Sequence, residues 1–216
     1  MLKKAWILAA AVLAAGAAQA NPPAPRVTLD QATEVLHELE TIKLKGIPPK
    51  LLEDAQAVAI IPRVIKGGFI IGGRVGHGVV VMRDAKGVWS QPTFVTIGGA
   101  SLGFQVGLQS ADVVLVFKKR ETLTRLLEGK KKLTLGVDAS IAAGPVGRQA
   151  EAATDGKLEA EIYSYSRARG LFAGVALQGG VLGANKDVNE IYAADQRPET
   201  ATAYVDLIAK LDAMAK

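Results

Sequence analysis

The sequence predicts an α+β fold: an antiparallel, glycine-rich β-sandwich or barrel-like core with flanking N- and C-terminal helices. Helical periodicity occurs near both ends of the chain, whereas β-branched runs broken by turn residues fill the middle. Short turns, not long helices, join those runs, which implies antiparallel pairing. Glycine recurs with strand parity: Gly68, Gly72, Gly76 and Gly78 in one run, Gly99, Gly103 and Gly107 in another. Each run would make a strand with one face nearly bare of side chains. Repeated glycine in a strand marks a sharp bend or the close approach of another backbone or ligand.

Along the chain, Lys3 and Lys4 precede an apolar run from Ala5 to Ala17, and Ala18-Gln19-Ala20 has small-x-small form. This reads as a bacterial-type signal peptide cut after Ala20, which places the mature protein in the periplasm or outside the cell. Residues 21–27 are a Pro-rich lead-in. Residues 28–214 form a single domain, long enough for one sizeable core. Thr28-x-x-Gln31 has capping-box form and opens a helix with Leu29, Ala32, Val35, Leu36, Leu39 and Ile42 at helical spacing. Gly46 and Pro48-Pro49 end it, and a short helix follows through Ala55. Ala57 to Ile61 reads as a buried strand stopped by Pro62.

Asp84-Ala85-Lys86-Gly87 is a hairpin signal between Gly78–Arg83 and Val88-Trp89. Strands are expected at Val113–Lys118, Leu133–Ala142, Lys157–Ser166 and Leu171–Leu177, with short helices at Glu121–Glu128 and Asp187–Ala193. Pro198 opens the last helix as its first residue, with Ala201, Tyr204, Val205, Ile208 and Leu211 as the apolar stripe. Val95 to Phe117 carries only Asp112 as a charge. Gln105, Gln109, Ser110 and Asp112 together nonetheless make it a poor membrane helix. An outer-membrane barrel does not suit a chain whose last element is an amphipathic helix.

Composition excludes several chemistries. With no cysteine there is no disulfide, thiol nucleophile or cysteine–metal site. The two histidines, His37 and His77, fit no metal-binding spacing. His37 reads as a surface residue and His77 as a turn residue able to contact a polar ligand. Gly72 to Gly78 is a poor dinucleotide fingerprint because strand residues follow it, and no glycine loop precedes a Walker lysine. Asp112 and Asp138 are the carboxylates most embedded in apolar sequence, and bonds to backbone amides or a nearby arginine are the expected reason. Removing Lys3 and Lys4 from the 26 basic side chains leaves a mature net charge of +3 against 21 acidic ones. Local clusters (118–120, 130–132, Arg167 with Arg169) suit anionic surfaces.

Certain motifs match a known family. Ile61-Pro62-x-Val64-x-Lys66-Gly67-Gly68-Phe69, Gly72-Gly73-x-x-Gly76-x-Gly78, Trp89-Ser90-x-Pro92 and Gly103-x-Gln105-x-Gly107 resemble the SYLF-domain family. So do Asp112, Gly136-x-Asp138-Ala139-Ser140, Ala143 to Arg148, Tyr163 to Ser166 with Gly170 to Gly174, and Asn189 with Tyr192. The match runs from about Thr28 to Leu211 and suggests a secreted bacterial member. The resemblance implies a lipid-binding module; eukaryotic members recognise phosphoinositides and bind actin or WASP-type partners.

The leading expectation is therefore a non-enzymatic module that binds anionic lipid headgroups. Its candidate residues are Lys66, Arg74, His77, Lys118, Lys119, Lys130, Lys131, Lys132 and Arg148. Gly68, Gly72, Gly76, Gly99, Gly103, Gly107, Asp112 and Asp138 are structural on this reading. The alternative is a protein-interaction module for envelope or host partners of the actin-regulator type. No cofactor, metal or nucleic-acid partner is expected.

Overall fold

The computed structural model describes residues 21–41, 46–68, 71–102, 107–127, 132–145, 159–168, 171–174, 177 and 179–216. The expected signal peptide, Gly103, Lys130, Lys131, Arg148 and Arg169 lie outside the described residues.

Helix α1 (Pro25–Thr41) and the short α2 (Pro49–Glu53) precede four long strands: β1 (Ala57–Gly68), β2 (Ile71–Met82), β3 (Thr93–Leu102) and β4 (Gly107–Phe117). Helix α3 (Arg120–Leu127), β5 (Leu133–Thr134), β6 (Ile141–Ala143), β7 (Ile162–Ala168), β8 (Leu171–Gly174) and β9 (Val181–Ala184) follow. Helices α4 (Lys186–Ala194) and α5 (Pro198–Met214) complete the described chain. The strands form one sheet in the order β5-β9-β3-β2-β1-β4-β7-β6, with β8 also on β7; every pairing is antiparallel except β6 with β7. β5 and β6 stand at opposite margins of that order, yet only residues 135–140 connect them. The margins must therefore curl toward each other, and the sheet is a half-barrel with α1, α2 and α5 packed outside it and α3 against its inner face.

Both faces of the sheet are buried. On the outer face Val58, Ile60, Val79, Val81, Val114, Val116, Tyr163 and Tyr165 meet α1, α2 and α5. On the inner face Ala59, Ile61, Val80, Ile97, Val113, Leu115 and Phe117 meet Leu123 and Leu126 of α3 and Leu135, Leu177 and Leu182. Each such aliphatic side chain contributes about 1.5–3 kcal/mol on burial, so continuous apolar strands are stable only in this doubly covered position.

Several elements differ from the sequence expectation. α1 begins at Pro25, not Thr28, because proline suits the first turn of a helix. Thr28 is then internal, and its hydroxyl donates back to the Ala24 carbonyl (3.3 Å) instead of capping. Pro62 does not stop β1: it sits in a bulge, where a missing N–H is tolerated. Leu133–Ala142 is two strands separated by a turn, with Gly136 at φ 85°. The buried stripe of α5 is Thr200, Ala203, Leu207 and Leu211, and Val205 is 60% exposed. The Asp84–Gly87 hairpin forms as expected: the Asp84 carboxylate accepts from Lys86 N (2.8 Å) and Val88 N (2.9 Å), and Gly87 takes φ 81°.

Candidate functional site

Two of the recurring glycines, Gly76 and Gly78, lie against a bulge in β1. β1 pairs regularly with β2 up to Ile60–Val79 and resumes at Ile65–Val75, so Ile61–Val64 face one residue fewer on β2. The extra residue pushes β1 against β2. A Cβ on Gly78 would lie 2.2 Å from the Ile60 carbonyl oxygen, and one on Gly76 would meet Val64, Ile61 and Ile97. Gly99, at φ 154°, backs onto the Gly179 carbonyl. Gly68 pairs with both Gly72 and Gly107, so the two runs share one end of the half-barrel.

At the apex of the bulge Arg63 has φ 49°, a left-handed conformation that costs an L-residue roughly 1–2 kcal/mol. Asp112 of β4 holds it there: one carboxylate oxygen accepts from Arg63 N (2.9 Å). The other accepts from Arg167 Nε (3.0 Å) and Nη2 (2.8 Å) on β7. The same guanidinium pairs with Glu38 of α1. Burial disfavours the Arg167 charge, but the two carboxylates more than offset it and hold its pKa above the usual arginine value. One network thus ties helix, bulge and two strands. Above it lies a cleft of about 330 Å³, bounded by Gln31, Glu34 and Glu38 of α1 and by Arg63, Ser110 and Arg167 on the sheet side.

Of the residues expected to hold an anion, the structure brings together two. Lys66 and Arg74 are direct cross-strand partners, in one row with Gln109 and Gly99, so they share a face. It is the inner face, because Val64 and Gly76, two residues away on each strand, meet the inner core. Burial pushes the Arg74 guanidinium below the usual arginine value.

The remaining candidates lie elsewhere. Lys118 and Lys119 follow the far end of β4, nine residues from Gln109 and so ~30 Å from Lys66. Lys119 there pairs with Glu161 (2.9 Å). Lys132 lies over Gly183 on β9. His77 is not a turn residue: it is central in β2, on the outer face, with Nδ1 3.2 Å from Thr96 Oγ1.

Asp138 accepts from Thr134 N (2.6 Å) across the turn that separates β5 from β6. Asn189 of α4 behaves like an extra strand for Phe94, accepting from its N–H and donating to its carbonyl (both 2.8 Å), while Tyr192 packs on the Phe94 ring. Gly144 leaves room for the Tyr165 ring, whose hydroxyl donates to the Pro145 carbonyl (3.3 Å). Among the described residues no group of histidine and carboxylate side chains is arranged to hold a metal ion. None of the described helices is long and apolar enough to cross a membrane. Sequence reasoning missed Arg63 and the pairing of Arg167 with Glu38. The signal for Arg63 was the proline inside an otherwise continuous apolar strand.

Fold and site together define a curled α+β half-barrel whose embedded aspartates are engaged by backbone amides and arginine. The family model described as Ysc84, Las17-binding protein actin regulator, matches residues 98–201. Similar proteins include the SH3 domain-containing YSC84-like protein 1 of Homo sapiens, 34% identical over 173 residues, 77% of this chain and 50% of that protein. Its Xenopus laevis counterpart is 35% identical over 164 residues, 74% and 48%. LAS seventeen-binding protein 3 of Saccharomyces cerevisiae is 36% identical over 151 residues, 69% and 32%. The chain spans about a third to a half of the length of these relatives. The family model and the relatives support placing it in the Ysc84/SYLF domain family. No solved structure matches.

Proposed function

We propose that this chain is a non-enzymatic protein-interaction module of the actin-regulator type, exported to the periplasm or beyond. The observation that carries the reading is the match of residues 98–201 to a family described as Las17-binding. That segment also keeps two apolar side chains at the surface, Val137 (79% exposed) and Ile191 (55%). The non-enzymatic part is supported by Asp112 and Asp138, whose carboxylates serve the fold. The export part rests on the charged and apolar pattern of the first twenty residues. Biolayer interferometry with immobilised protein should show saturable binding of Saccharomyces cerevisiae Las17 or of actin, weakened by Val137→Asp or Ile191→Asp. Binding of neither would overturn the actin-regulator reading.

A second reading, capture of an anionic lipid headgroup, is favoured by the Lys66–Arg74 row. The row sets two cationic side chains directly opposite each other on one face, within joint reach of a single anionic headgroup. Insertion of α1 into a bilayer is disfavoured, because Leu29, Ala32, Val35, Leu36 and Leu39 are already buried in the core. Vesicles of phosphatidylcholine with phosphatidylglycerol should retain the protein at low salt and release it at high salt. Lys66→Gln with Arg74→Gln should abolish retention, and equal recovery on neutral vesicles would refute this reading.

A further inference from the structure

The cleft beneath α1 has a charge arrangement that neither reading uses. Its floor is closed: Asp112 and Glu38 are both engaged with Arg167. Its two walls are not. Glu34 on the helix wall and Arg63 on the bulge wall line the same cleft with opposite charges, and among the described residues neither side chain makes an ion pair. Gln31, one turn before Glu34, and Ser110, opposite Ile65 on β4, also line the cleft and add an amide and a hydroxyl, each able to donate and accept. Arg63 holds its place at φ 49° with its amide bonded to Asp112, where glycine or asparagine would sit with less strain. The fold thus fixes the base of a guanidinium at the mouth of the cleft.

We propose that this cleft binds a small zwitterion of the amino-acid class. The carboxylate would lie against Arg63, whose fork suits two parallel hydrogen bonds, and the ammonium against Glu34, with Gln31 and Ser110 completing the contacts. A volume of about 330 Å³ is at the small end of ligand sites, with room for one amino acid or a molecule of that size. A simple anion would leave Glu34 unanswered, and a simple amine would leave Arg63 so. One skeleton carrying both charges satisfies the two walls together. The proposal goes beyond the protein-interaction reading and stands or falls independently of it.

The test is a titration followed by ¹⁵N NMR with glycine, 4-aminobutyrate and 6-aminohexanoate, which separate amine from carboxylate by increasing lengths. An equimolar mixture of methylammonium and acetate is the control. One member of the series should give saturable shifts centred on the amides of Gln31, Glu34, Arg63 and Ser110. Glu34→Gln and Arg63→Gln should each weaken binding at least ~10-fold, as expected for losing a charged hydrogen-bond partner, with melting temperature unchanged. Absence of saturation by every member up to ~20 mM, well above useful small-ligand affinities, would overturn the proposal. So would an equal response to the methylammonium–acetate mixture, or binding that persists in the double variant.

Discussion

Gly78→Ala and Gly73→Ala are chemically identical changes on one strand, and the bulge predicts opposite outcomes for them. At Gly78 the new methyl would sit 2.2 Å from the Ile60 carbonyl oxygen and 2.7 Å from Ile61 Cα. Both are backbone atoms of a strand paired on each side, so neither can rotate away as a side-chain tip would. Overpacking of a core costs about 1–3 kcal/mol, and immovable backbone puts this case near ~3 kcal/mol. For a domain of this length each kcal/mol moves the melting temperature by roughly 2–4 °C, so Gly78→Ala should lose ~6–12 °C. At Gly73 no atom of the described residues lies within 4 Å of the added methyl. Removing glycine's entropic cost in a strand should raise stability there by up to ~0.5–1 kcal/mol. Thermal melts followed by far-UV circular dichroism, checked by urea denaturation, separate the two. A loss below ~2 °C for Gly78→Ala, or equal losses at both sites, would refute the role assigned to the bulge.

Asp112→Ala removes the acceptor for the bulge amide and leaves Arg167 with one carboxylate; breaking such a largely buried pair should cost ~3 kcal/mol in urea denaturation. Leu207→Ala should cost ~2–5 kcal/mol while Val205→Lys stays within ~0.5 kcal/mol, since the buried stripe of α5 runs through Leu207; the reverse order would restore the stripe read from sequence. Burial pushes the phenols of all four tyrosines, Tyr163, Tyr165, Tyr192 and Tyr204, above their ordinary value of 10.0. The unfolded chain therefore loses protons first as pH rises past 10, so stability should fall there. Tyrosinate absorbance near 295 nm should lag behind that of free tyrosine until the protein unfolds, and a titration that tracks free tyrosine would contradict the burial.

Local codes were legible in the sequence. The Asp84–Gly87 hairpin, the Pro198 start of α5 and the short helix at 186–194 each depend on residues within a turn of one another. The aspartates were legible too, because a carboxylate inside an apolar run must find partners. What failed were features decided by distant groups. Pro62 reads as a strand terminator until Asp112 is seen holding the amide of Arg63, 49 residues away from it. The α5 stripe was ambiguous because apolar residues line two faces of that helix, and packing against α1 selected the face with Ala203. The anion-binding set was assembled from neighbours along the chain. Among its described members, strand alternation and sheet order put Lys66 beside Arg74 and place His77, Lys118, Lys119 and Lys132 on other faces or ends. The cleft itself depends on Gln31, Glu34, Arg63 and Ser110, which carry no joint signature in sequence.

The curl of the sheet also governs what kind of assembly this domain can enter. Open β-edges are templates for other chains, and proteins commonly blunt them with very short marginal strands. Here the margins are β5, two residues long, and β6, three residues long, with the four-residue β8 continuing beside β7. None offers the run of free amides and carbonyls that strand addition needs. Residues 135–140 also tether one margin to the other, so they cannot spread to admit a guest. Association at these three strands is therefore better served by side chains than by strand addition, a chemistry that point substitutions can dissect without disturbing the sheet.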